Sequence, residues 1–455
     1  MILKKIYEKL TLLGDRMAFV GEDSCTYREL GELAAGAVMM LRQIPESTPV
    51  ILYGGKCAAM LGWMLGCTFA GLPYVPVDSR TPTGRLEIIQ AEVGAGRIID
   101  TRQIEIKKAA LSDTSIVENV GRTVYVIMTS GSSGKPKGVA VSEANLDAFC
   151  DRYRHWMGDA SVSLGHASFA FDLSVADIYP TLAGGGCLYS IPADMVENST
   201  LMRDFVLASE CERLVMTPSF ARLLLTEPSF RKDRLSSLNS VFFCGEVLPA
   251  KTVLRLWERF PGLRIVNAYG PTECTVATHA IEITADMTDR VLPAGIADDS
   301  VFIENGEIIL GGRQIALGYL GNLQSKAFFE RDGKRFYRTG DRGRICGSLL
   351  YIDGRLDRQL KLQGYRIEPG EIEQVLLSLA GVSAAAVFAL HDRTGMPRSL
   401  CSAVVCSGEI EALTDELKKR LPMYMIPTLH KLDKLPMNAN GKCDYAKLEA
   451  AYGKQ

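Results

Sequence analysis

The chain has 455 residues, 47% of them hydrophobic and 23% charged, which is enough apolar material for a large core but too much length for a single one, so two or more domains are expected. The 51 Lys and Arg against 53 Asp and Glu give a formal net charge of -2, which leaves no basic surplus for a nucleic-acid backbone. Twelve scattered cysteines with no C-x-x-C pair, beside only five histidines, argue against a structural zinc site and read as buried thiols in a reducing cytosol.

The first residues, MILKKIYEKLTLLGDRMAF, read as an amphipathic helix, because Glu8 and Lys9 interrupt the apolar run and no A-x-A pattern follows. Cys57 to Val77 carries no charge and raises the question of a membrane span. Gly71, Pro73 and Pro76 break it, so a core helix over Cys57 to Ala70 and a short buried strand over Leu72 to Val77 are expected instead, with no membrane insertion. From about residue 48 to 270, strand-like runs at Val124 to Met128, Leu214 to Met216, Val241 to Phe243 and Ile265 to Val266 alternate with helical spacing at Ser219 to Leu225 and Lys251 to Phe260. That alternation predicts parallel sheets covered by helices, an α/β fold. After Pro293 short runs broken by glycine, as in GEIILGG and CGSLLYIDG, suggest hairpins or a small barrel. From about Arg358 the texture changes again. Pro369 sits at a first helical position ahead of Ile372, Val375, Leu376 and Leu379; strands at Ala384 to Leu390 and Ser402 to Val405 follow, and then a helix with Ile410, Leu413, Leu417 and Leu421 on one face. The division expected is a large N-terminal domain over residues 1–356, made of parallel sheets with helices plus a small barrel, and a small α+β C-terminal domain over 357–455.

The strongest chemical signal follows the run YVIM: Thr129, Ser130, Gly131, Ser132, Ser133, Gly134, Lys135, Pro136, Lys137 and Gly138. Glycines let backbone N–H groups approach an anion, hydroxyls donate further hydrogen bonds and lysine adds charge, which together describe a phosphate cradle. A Walker loop needs a hydroxyl directly after its lysine, and here Pro136 follows Lys135. Read alone, the segment is less often a flexible surface loop of the kind that Gly/Ser clusters form in linkers. In NAYGPTE (267–273), glycine and proline make a tight turn, Tyr269 offers a flat face for a base and Glu273 a hard oxygen for Mg²⁺. Lys442 ends the turn sequence NANGK, which would project a single cation.

The loop resembles the phosphate loop of the adenylate-forming superfamily, and five further segments are similar to that superfamily's motifs in sequence and order: FDLSV (171–175), NAYGPTE, YRTGDRGRI (337–345), GRLDRQLKLQGYRIEPGEIE (354–373) and NANGK (438–442). The resemblance implies ATP and Mg²⁺ as cofactors. It implies ATP contacts from Thr129 to Gly134, Lys135, Lys137, Asn267, Ala268, Tyr269 and Gly270, and ribose contacts from Asp341 and Arg355. Thr272 would lie at the α-phosphate and Glu273 at the metal, Asp357 would be the hinge about which a C-terminal lid turns, and Lys442 would contact both the acyl carboxylate and the α-phosphate. Carboxylate and triphosphate repel, so a lysine with Mg²⁺ would stabilise their encounter.

Asp172 matches the position that pairs with the α-ammonium of an aminoacyl substrate, and a buried carboxylate without such a partner would be costly, which disfavours an acyl-CoA ligase. The same residue could instead be an ordinary helix N-cap. ASFAFDLSVADIYP, MTPSFARLLL and FFCGEVLP are similar to the D-alanine:D-alanyl carrier protein ligases. That resemblance implies a narrow pocket shaped by Cys244 and lined by Leu173, Ala176, Val215, Phe242, Ala268, Val276 and Ala277, with Ala176 smaller than the residue usual there. Neighbours differing by one methylene are separated by only about 1–3 kcal/mol in such a pocket, so other small amino acids would compete. The chain ends 13 residues after Lys442, so the acceptor is expected to be a separate phosphopantetheinylated carrier protein. The alternatives are a free-standing adenylation enzyme for another small amino acid in a peptide-synthetase pathway, an acyl-CoA ligase, and an inactive nucleotide-binding scaffold; the place of action expected is the cytoplasm.

Overall fold

The computed structural model describes all residues except Glu46, 118–120, 132–134, 322–324, 393–396, 439–442 and 454–455. The chain divides into two compact units. The first holds Met1–Ser79, Val93–Met128 and Gly138–Leu356; the second holds Asp357–Gln455 together with Arg80–Glu92 and Thr129–Lys137.

The first unit contains three sheets. In one, the strands Arg264–Tyr269, Ser240–Phe243, Arg213–Met216, Val162–Gly165, Cys187–Ser190 and Met17–Val20 lie side by side and parallel, with His279–Glu282 and Ser24–Thr26 antiparallel at the two edges. These strands are nearly all buried because helices cover both faces of a parallel sheet. Alternation along the strands divides the core in two: Leu214, Met216, Val241, Phe243 and Ile265 belong to one buried cluster, and Val215, Phe242, Cys244, Val266 and Ala268 to another.

The second sheet runs Gly318–Tyr319, Lys137–Ser142, Thr123–Thr129, Tyr74–Asp78, Val50–Gly54, Arg97–Asp100, and its last four strands are parallel. The uncharged stretch resolves into the helix Ala58–Ala70, closed by Gly71 in the left-handed conformation, and the strand Tyr74–Asp78. Thirteen residues make about 20 Å of helix, short of a bilayer's ~30 Å, and no described helix is long and apolar enough to cross a membrane. The third sheet, antiparallel, runs Gly295–Ile296, Leu349–Arg355, Lys334–Cys346, Glu307–Gly311, Val301–Glu304, with Phe328–Arg331 also paired to Lys334–Cys346. Among the described residues its two end strands do not pair, so there the glycine-broken segment forms hairpins in an open sheet rather than a closed barrel. A two-residue terminal strand supplies too few ladder bonds to close one.

In the second unit Pro369 opens the helix Pro369–Leu377, and the strands Val382–His391, Pro397–Cys406 and Thr428–Lys431 form a sheet carrying the helix Ile410–Arg420. Ile372, Leu376, Leu413, Leu417 and Leu421 are buried together in its core, as their helical spacing predicts. All twelve cysteines are free thiols.

Candidate active site

Strand register gathers the expected substrate-lining residues. Val215, Phe242 and Val266 are neighbours across three parallel strands, and Cys244 and Ala268 lie two residues further on, hence on the same face and at the carboxyl ends of the strands. This is the usual position of ligand sites in open α/β sheets. Leu173, Ala176, Val276 and Ala277 join the same buried cluster. Ala176, Phe242 and Ala277 have no accessible surface and form the backing of this wall, whereas Leu173 at 7%, Ala268 at 5% and Cys244 at 3% keep some. The rings of Tyr153 and Trp156 brace Phe242 at centroid distances of 5.0 and 6.4 Å. The Cys244 thiol donates to the Val276 carbonyl at 3.6 Å.

Asp172 directly precedes the helix Leu173–Gly184, but its side chain makes no capping hydrogen bond; its backbone carbonyl accepts from Val175 N–H at 2.9 Å. The carboxylate is half-buried. At the end of the strand Val162–Gly165, His166 is stacked on Phe220 at 4.2 Å, and burial, with the Lys56 ammonium second, pulls its imidazole down to about 3. The Lys56 ammonium donates to the carbonyls of His166 and Ile191.

The NAYGPTE segment runs from the end of the strand Arg264–Tyr269 into the short 3₁₀ turn Thr272–Cys274. Asn267 spends its amide on the Pro293 carbonyl at 2.7 Å, so that side chain fastens the segment. Tyr269 is only 3% exposed, which leaves little of the expected flat face open; its hydroxyl donates to Asp341 Oδ2 at 2.7 Å. Burial, and then the Asp341 charge, raise that phenol well above its ordinary range, so the hydroxyl keeps its proton. Arg355 donates to Asp341 Oδ1 at 2.8 Å and to the Thr339 carbonyl at 2.9 Å. The two residues expected at a ribose are therefore an ion pair with each other, and a diol would have to use the remaining lone pairs of Asp341. A Cβ on Gly270 would stand 2.6 Å from Ala277 Cα, so glycine is required by close backbone approach.

Glu273 is buried, and Tyr319 donates its hydroxyl to Oε1 at 2.7 Å. Among the described residues no cluster of three or more acidic, His or Cys side chains could hold a metal. A single hard carboxylate suits Mg²⁺, which takes most of its remaining ligands from water and phosphate oxygens. Tyr319 was not singled out by sequence; the only hint is its place in ALGYL, where a two-residue strand pairs it with Val139. Thr272 is half-exposed.

In the second unit, Thr129 donates to the Lys137 carbonyl at 3.4 Å, Ser130 to the Arg366 carbonyl at 2.9 Å, and Lys135 pairs with Glu92 at 2.9 Å. A Cβ on Gly131 would run into the Lys135 carbonyl. Ser132, Ser133 and Gly134 lie outside the described residues, as does Lys442. Asp357 is exposed and its carboxylate accepts from Gln359 N–H at 3.2 Å; the boundary between the units falls at its N-terminal side. Sequence also gave no sign of the buried pair Arg85–Glu371, which joins helices 286 residues apart.

Comparison with known proteins accords with this arrangement. Residues 8–320 match the family model of the AMP-binding enzyme, and residues 371–442 that of the AMP-binding enzyme C-terminal domain. The chain is 37% identical to the D-alanine--D-alanyl carrier protein ligase of Bacillus licheniformis, covering 96% of each chain, and 36% identical to that of Staphylococcus epidermidis, covering 94% of each. The crystal structure of the Vibrio cholerae adenylation domain AlmE, in complex with glycyl-adenosine-5'-phosphate, superposes with a TM-score of 0.89 at 22% identity, over 100% of this chain and 98% of that one. At that identity the likeness speaks for the fold. With family models matching both parts of the chain and relatives of 37% and 36% identity over nearly its whole length, the chain belongs to the AMP-binding enzyme family.

Proposed function

We propose that the protein activates D-alanine with ATP as the aminoacyl-adenylate and transfers it to the phosphopantetheine thiol of a separate carrier protein in the cytoplasm. The observation that carries this reading is the position of Asp172, a carboxylate that caps no helix and adjoins an apolar face made by Leu173, Val215, Cys244, Ala268 and Val276. A carboxylate there would orient an α-ammonium, and the adjoining apolar face would receive a small apolar side chain such as a methyl group. Relatives named for D-alanine and a D-alanyl carrier protein, at 37% and 36% identity over nearly the whole chain, support the same substrate and acceptor.

In the first half-reaction a substrate carboxylate oxygen attacks the α-phosphorus and pyrophosphate departs with the electron pair of the broken P–O bond. Lys442 is assigned the neutralisation of the carboxylate and α-phosphate, and Thr272 a hydrogen bond to that phosphate. Residues Thr129 to Gly134, Lys135 and Lys137 are assigned to the phosphates, and Asp341 with Arg355 to the ribose. Mg²⁺, held by Glu273 and phosphate oxygens, would lower the charge that the attacking carboxylate meets. In the second half-reaction the carrier's thiolate attacks the acyl carbonyl and AMP leaves, giving the thioester, with Asp357 assigned the hinge role between the two steps.

Pyrophosphate exchange measured over D-alanine, L-alanine, glycine, D-serine and D-2-aminobutyrate tests the assignment. D-alanine should give the highest kcat/KM. A severalfold preference for any other acid would replace D-alanine with that acid, and efficient transfer to free CoA would replace the carrier protein as acceptor.

A further inference from the structure

Two consecutive β-branched residues in the first unit, Thr275 at φ 54° and Val276 at φ 68°, occupy the left-handed region. L-residues of this shape rarely stay there, and such strain persists only where the surroundings over-determine it. The determinant is Gln314, a buried side chain from the loop after the strand Glu307–Gly311. Its backbone carbonyl accepts from the Thr275 hydroxyl at 2.7 Å, and its side-chain amide Nε2 donates to the Ala277 carbonyl at 2.6 Å, so one residue holds the turn on both sides, once through its backbone and once through its side chain. Within the turn, Ala277 N–H bonds the Thr275 carbonyl at 2.9 Å. Val276, between the two grips, presents its carbonyl to the Cys244 thiol at 3.6 Å. Gln314 also lines an open cleft of about 630 Å³.

We propose that Gln314 is a positioning residue for substrate selection: by clamping Thr275 and Ala277 it forces Val276 into the left-handed conformation and sets the depth of the apolar face beside Cys244. The proposal rests on the reading that this face receives a small amino-acid side chain. A turn relaxed toward negative φ would swing the Val276 carbonyl off Cys244 and deepen the face, which affects discrimination between substrates and leaves ATP recognition alone.

The test compares wild type, Gln314→Leu and Thr275→Val in pyrophosphate exchange with D-alanine and with D-2-aminobutyrate, one methylene longer. Leucine removes the amide donor at similar volume, and valine removes the hydroxyl that Gln314 receives. Both variants should raise the D-alanine KM about tenfold with kcat changed less than threefold, lower the D-alanine to D-2-aminobutyrate ratio of kcat/KM at least fivefold, and leave the ATP KM within twofold. An unchanged ratio in either folded variant overturns the proposal, as does a parallel rise in both KM values. Thr275→Ser, which keeps the hydroxyl, should retain wild-type selectivity. If wild type prefers another acid, the D-alanine reading fails by that measurement alone, and the same variants are then scored on that acid and its next homologue.

Discussion

The buried pair of Arg85, on the helix Thr83–Val93, and Glu371, on the helix Pro369–Leu377, allows a quantitative test within the second unit. Their side chains are 7% and 0% exposed, Glu371 Oε1 accepts from Arg85, and Glu371 Oε2 has no hydrogen-bond partner among the described residues. Arg85→Met leaves that carboxylate buried and uncompensated, which costs about 3–5 kcal/mol. Replacing both partners, Arg85→Met with Glu371→Met, removes the charge as well as its partner, and such exchanges are commonly neutral or stabilising by about 1–4 kcal/mol. The unsatisfied Oε2 pushes the double variant toward the favourable end, because its desolvation is a cost that the wild type carries and the double variant does not. All three tryptophans, Trp63, Trp156 and Trp257, belong to the first unit, so their fluorescence would report the wrong part of the chain. Amide hydrogen exchange in Pro369–Leu377 and Val382–His391 reads the second unit directly. Exchange there should quicken by roughly a hundredfold to several thousandfold in Arg85→Met, at 1.4 kcal/mol per tenfold, and return to or below the wild-type rate in the double variant. A single variant that exchanges like wild type, or a double variant as labile as the single, would refute the reasoning.

Other perturbations act nearer the site. Tyr269→Phe deletes the hydroxyl 2.7 Å from Asp341 Oδ2; a hydrogen bond to a charged group contributes about 1.5–3 kcal/mol, so the ATP KM in pyrophosphate exchange should rise about 10- to 100-fold while the D-alanine KM moves far less. Equal shifts in both would count against Asp341 as a nucleotide group. Gly270→Ala brings Cβ to 2.6 Å from Ala277 Cα and 3.0 Å from Thr278 N, both backbone, so relief must come from the chain itself and costs about 1–3 kcal/mol; calorimetry should show a lowered melting temperature, and an unchanged one would mean that the turn yields freely. His166 has a folded-state value of about 3 against 6.5 when unfolded, so its stability contribution is complete above pH 6.5 and is lost as pH falls from there toward 3, at about 1.4 kcal/mol per pH unit. His166→Gln should therefore flatten urea stability between pH 6 and pH 4, and a curve parallel to wild type would show that another group controls acid unfolding.

How far the sequence reaches depends on the range over which its constraints act. Helical spacing in Ile372 to Leu379, Pro369 at a first turn, and the breakers Gly71 and Pro73 are local, and each gives its element within a residue or two. The apolar face is also legible, because alternation puts Phe242 with Cys244 and Val266 with Ala268 on one side whatever the rest of the chain does. Nothing local distinguishes a closed barrel from open hairpins, since closure depends on whether two distant edge strands are long enough to pair. Partnership across long separations is equally invisible: Tyr319 with Glu273, Gln314 with Thr275 and Ala277, and Arg85 with Glu371 are each unremarkable in their own segments. These pairs have one property in common. Each meets a buried polar group or a strained backbone that could not persist alone, so what motif reading supplies as single functional residues requires, in the folded chain, a second residue that only the fold identifies. Asp341 illustrates the consequence: sequence presents it as an acceptor for two hydroxyls, whereas the fold gives one oxygen to Tyr269 and the other to Arg355 before any ligand arrives. Those two contacts orient the carboxylate, and a diol bound there would be restricted to the lone pairs they leave.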